Sequence, residues 1–206
     1  MTRRSLRIEP FALAGIVIAV TAIVTHYGLR YHWFLPDEEE GVAGARLILD
    51  HFPSQLWDTN FFERGPERLT AFVLAIVDVI VHPTATEFSV GHAVIGAAWA
   101  LTAVPTYLLA RGVGIGSWMA LTLAAIATFN PFSVYGVTFL DTTLGYLTVT
   151  ILFYSIWRTV VKPTMLNDVL VVVALLATAT ARLGNAPFVL VLIPTLLVQS
   201  WRDRPE

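Results

Sequence analysis

The chain has 206 residues, 56% of them hydrophobic and 14% charged, with a mean hydropathy of +0.68 and a formal net charge of −2. A soluble domain carries roughly 25% charged residues, so these proportions exclude the ordinary soluble classes and define a membrane protein. The absence of cysteine excludes disulfide frameworks, thiolate metal sites and thiol nucleophiles.

The chain reads as one membrane domain over residues 1–206, all-α, with apolar runs near residues 8–25, 69–81, 88–110, 117–130, 142–157, 168–182 and 186–201. Several runs are shorter than the about 20 residues that a 30 Å hydrocarbon core requires, so they are expected to borrow flanking residues. The first follows Arg3, Arg4 and Arg7 and has a weak cleavage-like site at Ala22. That layout resembles a secretory leader, but the expectation is a retained first helix, since further spans follow.

Residues 26–87 form an acidic segment that contains four consecutive carboxylates, Asp37, Glu38, Glu39 and Glu40. Near its end lies "LTAFVLAIVDVIV", residues 69–81, whose 13 residues make a helix of roughly 20 Å. That length suits an interfacial or re-entrant helix, and Asp78 would be costly at mid-membrane. The topology depends on this short run. If it does not cross and the N-terminus is cytoplasmic, Arg111, the Arg158 and Lys162 pair, and Arg202 with Arg204 all fall on the inner side with Arg3, Arg4 and Arg7. That is the positive-inside pattern, and it gives about six spans with 26–87 as one external segment.

After the run at 88–110, "RGVGIGSW" contains Gly112, Gly114 and Gly116 but follows a membrane helix rather than a strand, so it reads as a cytoplasmic turn. Beyond the run at 117–130, Asn130 and Pro131 end a helix, and "FNPFSVYGVTFLDTT" leads to Asp141 at the start of the next. Ionisable residues at membrane depth usually face a bundle interior or a wet cavity and mark a site. An aspartate is also favoured at a helix start by capping and the macrodipole, with Thr142 and Thr143 helping, so both readings of Asp141 stand. In the six-span topology Asp141 shares a face with Asp37. The five histidines show no close metal-ligand spacing, Trp33, Trp57, Phe61 and Phe62 suit headgroup anchoring, and no basic stripe with interleaved aromatics points to nucleic acid.

These motifs, in this order, resemble the amino-terminal half of the GT-C glycosyltransferases, polytopic enzymes that take sugars from polyprenyl-phosphate carriers, among them lipid A aminoarabinose transferases and protein O-mannosyltransferases. "PDEEEGVAGARLIL" resembles their first external loop, with the Asp-Glu pair at Asp37 and Glu38. "ERGPERLTAFVLAIV" resembles their basic residue and proline leading into an interfacial helix, through Arg64, Pro66 and Leu69, although Gly65 replaces a proline and Glu67 adds a charge. Asp141 in "FLDTTLGY" matches an aspartate that opens a later span, and Arg182 in "ATARLGNAPFVLVLIP" matches a loop arginine. The family normally continues with more helices, so the resemblance implies a fragment or reduced relative, with a second polypeptide as one way to complete the module.

The resemblance implies transfer of a sugar from a polyprenyl-phosphate donor at the outer face of the membrane. Asp37 would be the general base for the acceptor hydroxyl, and Glu38 would orient it, bind acceptor hydroxyls, or join Asp141 around a divalent metal cation. The phosphate leaving group calls for positive charge from Arg64, Arg68 or Arg182. Plainer readings stand beside these: Arg182 as a snorkelling residue at a helix end, and Arg64 and Arg68 as surface partners of Glu63 and Glu67, worth under about 1 kcal/mol. The alternative functions are a non-catalytic truncated membrane scaffold and a small-solute transporter using Asp37, Asp141 and Arg182 as a charged pathway. The runs show no matching half-repeats with broken helices of the kind transporters use.

Overall fold

A computed structural model describes residues 8–30, 44–50, 68–81, 87–129 and 141–181. The described residues are helical apart from short turns, with no strand among them. They comprise α1 (Glu9–Arg30), α2 (Arg68–Val81), α3 (Glu87–Leu101), α4 (Ala103–Gly112), α5 (Ser117–Thr128), α6 (Asp141–Val161) and α7 (Met165–Ala181), with a further helical stretch at 44–50.

Three stretches among them are long and apolar enough to cross a membrane: Glu9–Tyr27, Val90–Gly112 and Thr142–Val161. The second is formed by α3 and α4 together. It is the central helix, with 56% of its apolar window buried against 11% for the first and 28% for the third. The run expected at 88–110 is thus one continuous path with an interruption at Thr102. Pro105 explains it, because proline has no N–H and its ring crowds the carbonyl four residues earlier, that of Leu101. The chain compensates locally: the Thr102 N–H bonds the Trp99 carbonyl at 3.1 Å, and the Thr102 hydroxyl donates to that carbonyl at 2.6 Å.

The ends of the helices extend beyond the apolar runs because polar residues make the last turns. At the start of α7, the Thr164 hydroxyl accepts the Asn167 N–H at 3.3 Å, and Asn167 Nδ2 donates to the Lys162 carbonyl at 2.7 Å. That is a side-chain cap on orphan backbone groups. It starts α7 at Met165, three residues before the apolar run begins. With 17 residues α7 reaches about 26 Å, whereas α5 with 12 stops near 18 Å.

The turn between α4 and α5 is a tight glycine turn, as "RGVGIGSW" predicts. The Ile115 N–H bonds the Ala110 carbonyl at 3.0 Å and the Gly114 N–H bonds the Arg111 carbonyl at 3.2 Å, the Schellman pattern. Gly114 has φ +91°, where an L side chain is strained. Ile115 packs back on the cluster that contains Ala110, and Arg111 closes the turn by donating to the Ile115 carbonyl at 3.0 Å.

Lipid tails are as apolar as leucine, so helices in a membrane are held by close approach and polar contacts rather than by exclusion of water. The α4–α5 seam follows that rule: Ala103, Ala110, Ala120 and Ala124 are buried between the two backbones, and Tyr107 and Leu121 fill the remainder. Residues of α1 cover this seam and continue upward, where Val20 and Val24 pack with Trp99 and Ala100. Both of those buried valines flank Ala22, so α1 runs through the cleavage-like site as a packed element of the bundle. The α6–α7 hairpin is joined through Leu152, Val171, Ala174 and Leu175.

Candidate functional site

The bundle has two chemically different ends. At one, Glu9 in the first turn of α1 accepts a hydrogen bond from the Tyr107 hydroxyl, and Arg111 Nε lies 3.9 Å from the same carboxylate oxygen. The carboxylate also suits its own helix start, where the macrodipole favours negative charge. Trp157 of α6 reaches the same end, its ring so close to Gly112 that an added Cβ there would stand 2.2 Å from it. Arg158 follows directly, and Lys162 sits in the turn after α6. Arg111, Arg158 and Lys162, three of the basic groups that the charge pattern groups together, therefore share one end with the start of α1.

Asp141 opens α6 at the other end, 17 residues and about 26 Å from Arg158. Between them a polar floor fixes where α5 stops. Trp99 Nε1 donates to the Thr128 carbonyl at 3.0 Å, the Tyr146 hydroxyl donates to the Ala127 carbonyl at 3.4 Å, and the two rings lie 5.0 Å apart. The last carbonyls of a helix lack partners within it, and here two aromatic donors supply them. Asp141 lies five residues before Tyr146, about 8 Å nearer the start of α6.

One packed cluster organises this end. Ala45 and Ile48 from the 44–50 stretch, Ala71, Leu74 and Ala75 from α2, Ile95 and Ala98 from α3, and Leu144 from α6 are buried together. The chain segments that follow Asp37 and Glu38, that follow Arg64, and that begin at Asp141 thus meet at a single place. Arg68 is the first residue of α2 and Asp141 the first of α6. Asp37, Glu38, Arg64 and Arg182 lie outside the described residues, as do Trp33, Trp57, Phe61 and Phe62. Among the described residues no group of three histidine, aspartate or glutamate side chains is arranged to hold a metal ion; Glu38, one of the two carboxylates the resemblance offers to a cation, is not among them.

The short helix α2 differs from a surface helix in the placement of its charge. Phe72, Ile76, Val79 and Ile80 form its exposed side, while Thr70, Ala71, Leu74, Ala75 and Val77 are buried. Asp78 follows Ala71, Leu74 and Ala75 at spacings of seven, four and three, and so falls in the middle of the buried face. Its Oδ1 is buried with no hydrogen-bond partner among the described residues, as are the Oγ1 atoms of Thr70 and Thr142. An aspartate at the centre of a membrane helix costs about 2.5–3.5 kcal/mol, and the outward face offers only apolar side chains. The sequence shows that Asp78 is expensive; its direction follows only once the buried face of α2 is known. The Glu9, Tyr107 and Arg111 contact, spanning 98 residues of sequence between its first two members, leaves no local signal.

The described residues define a helical protein in which three helical stretches are long and apolar enough to cross a membrane. The chain matches no protein-family model, and no curated protein and no solved structure is detectably similar to it.

Proposed function

We propose that the chain is a GT-C-like membrane glycosyltransferase module, transferring a sugar from a polyprenyl-phosphate donor to an acceptor at the external face of the cell membrane. The observation that carries the reading is the single buried cluster in which the 44–50 stretch, α2 and the first turns of α6 meet. The three motif regions that resemble the family, at Asp37–Glu38, at Arg64–Arg68 and at Asp141, precede or open elements of that cluster in the sequence. Convergence of segments about 100 residues apart is what a shared site needs, and here it is made by apolar packing.

In this reading Asp37 is the base for the acceptor hydroxyl, Glu38 and Asp141 bind acceptor hydroxyls or a divalent cation, and Arg64, Arg68 and Arg182 offer charge to the phosphate. The topology that goes with it has six spans, a cytoplasmic N-terminus and α2 embedded without crossing, consistent with the length of α2, 14 residues or about 21 Å. The full chain, purified in lipid nanodiscs, is tested with polyprenyl-phosphate mannose and polyprenyl-phosphate aminoarabinose as donors. Transfer or donor hydrolysis by the wild type, reduced at least 100-fold in Asp37→Asn with an unchanged melting temperature, is the expected result. A fully active Asp37→Asn variant removes the base assignment, and an inert wild type favours the scaffold or transporter alternatives.

A further inference from the structure

We propose that Arg158 and Lys162 bind the phosphate of an anionic phospholipid, at the membrane boundary on the end of the bundle where α1 starts. The pair is independent of sugar transfer. The third stretch long and apolar enough to cross a membrane ends at Val161, so Arg158 lies in its last turn and Lys162 directly after it. The Lys162 N–H bonds the Arg158 carbonyl at 2.9 Å. That bond closes the last helical turn and sets the two residues on one face, about 6 Å apart along the axis. Both are exposed.

The three cations of this end are placed differently. Arg111 is engaged within the fold, with Nε 3.9 Å from the Glu9 carboxylate and a hydrogen bond to the Ile115 carbonyl at 3.0 Å. Arg158 and Lys162 have neither an ion pair nor a side-chain hydrogen bond among the described residues. Asp168, in the first turn of α7, pairs with neither of them. Like charges one turn apart on a helix repel, and cations at a helix end ordinarily offset this by meeting the last carbonyls and the negative end of the macrodipole. Here Asn167 Nδ2 already donates to the Lys162 carbonyl at 2.7 Å. α7 also starts in the same turn, so its positive dipole end opposes the negative end of α6. The two charges are left for an anion.

The surroundings select a lipid over a free ion. Val160, Val161, Met165 and Leu166 are exposed beside the pair, Met165 by 83% and Leu166 by 65%, an apolar surface suited to acyl chains. The turn is also held in place: Trp157, next to Arg158, packs its ring on Gly112 and stacks it with Tyr154 at 6.0 Å between centroids. A guanidinium offers a phosphate two parallel hydrogen bonds and an ammonium adds a point charge. A zwitterionic headgroup brings its own ammonium toward such a pair, whereas an anionic one does not, and basic clusters at a membrane boundary attract anionic lipid.

The full chain is taken into detergent with an equimolar mixture of phosphatidylglycerol and phosphatidylcholine, and the lipids that stay bound are counted by native mass spectrometry. Expected is retention of phosphatidylglycerol over phosphatidylcholine by about tenfold in the wild type. Arg158→Gln and Lys162→Gln each lower that ratio about threefold and the double variant abolishes it. Arg46→Gln removes the same charge from an exposed position in the 44–50 stretch at the other end, and leaves the ratio unchanged. Equal retention of the two lipids by the wild type overturns the proposal, as does a ratio that falls equally in Arg46→Gln or persists in the double variant. If the double variant does not fold, the two single variants decide in the same way. Release of phosphatidylglycerol by inorganic phosphate, with no such release by an equal ionic strength of chloride, would assign the pair to a free anion and overturn the lipid as its ligand.

Discussion

Gly114 and Gly116 stand two residues apart in one turn and make opposite demands. Gly114 has φ +91° in open space, while Gly116 has φ −60° and nothing within 4 Å of a Cβ built on it. Gly114→Ala is therefore expected to destabilise by about 1 kcal/mol through the backbone alone, and Gly116→Ala to change stability by less than half as much; thermal unfolding in detergent compares the two. From sequence the pair is indistinguishable, since "GVGIG" shows a turn but not which glycine takes the left-handed conformation. Asp78 teaches the reverse lesson. Its cost is legible in "AIVDVIV", and its inward direction follows from the spacing to Ala71, Leu74 and Ala75 once those residues are known to be buried.

Among the helices, apolar runs located the elements well and their limits less well. The start of α7 depends on Thr164 and Asn167, two polar residues that hydropathy places outside the helix. The break at Thr102 depends on a proline inside a run that hydropathy reads as uninterrupted. Contacts between helices were not legible in the sequence, among them the Trp157 ring against Gly112. Gly112→Ala is expected to lower the melting temperature by several degrees because the ring must shift. Combining it with Trp157→Ala should cost much less than the two separate effects added, since the clash then vanishes. A double-mutant cycle on unfolding free energy reads that coupling, and strict additivity would mean that the ring does not pack there.

At the scale of the whole molecule, charge distinguishes the two ends of the described bundle. Arg111, Arg158 and Lys162 lie at the end where α1 starts, and Asp141 begins α6 at the opposite end. The candidate residues Asp37, Glu38, Arg64 and Arg182 lie outside the described residues, so for them the sequence remains the whole basis. Because the chain has no cysteine, single substitutions Glu39→Cys, Thr84→Cys and Gly116→Cys can be probed in intact cells with a membrane-impermeant maleimide. Labelling at 39 and 84 with protection at 116 is expected from six spans with α2 not crossing. Labelling at 39 and 116 with protection at 84 would make α2 a span and put Asp37 and Asp141 on opposite sides.

The floor made by Trp99 and Tyr146 also bears on how such a chain can diverge. It ties Thr128 to α3 and Ala127 to α6, so the stretch of chain between α5 and α6 leaves and returns at points already held together by packing. For a flexible closed stretch, doubling its length adds only about 0.6 kcal/mol of closure entropy. Lengthening the connection between Phe129 and Asp141 would therefore leave the contacts of Trp99 and Tyr146 with the end of α5 in place.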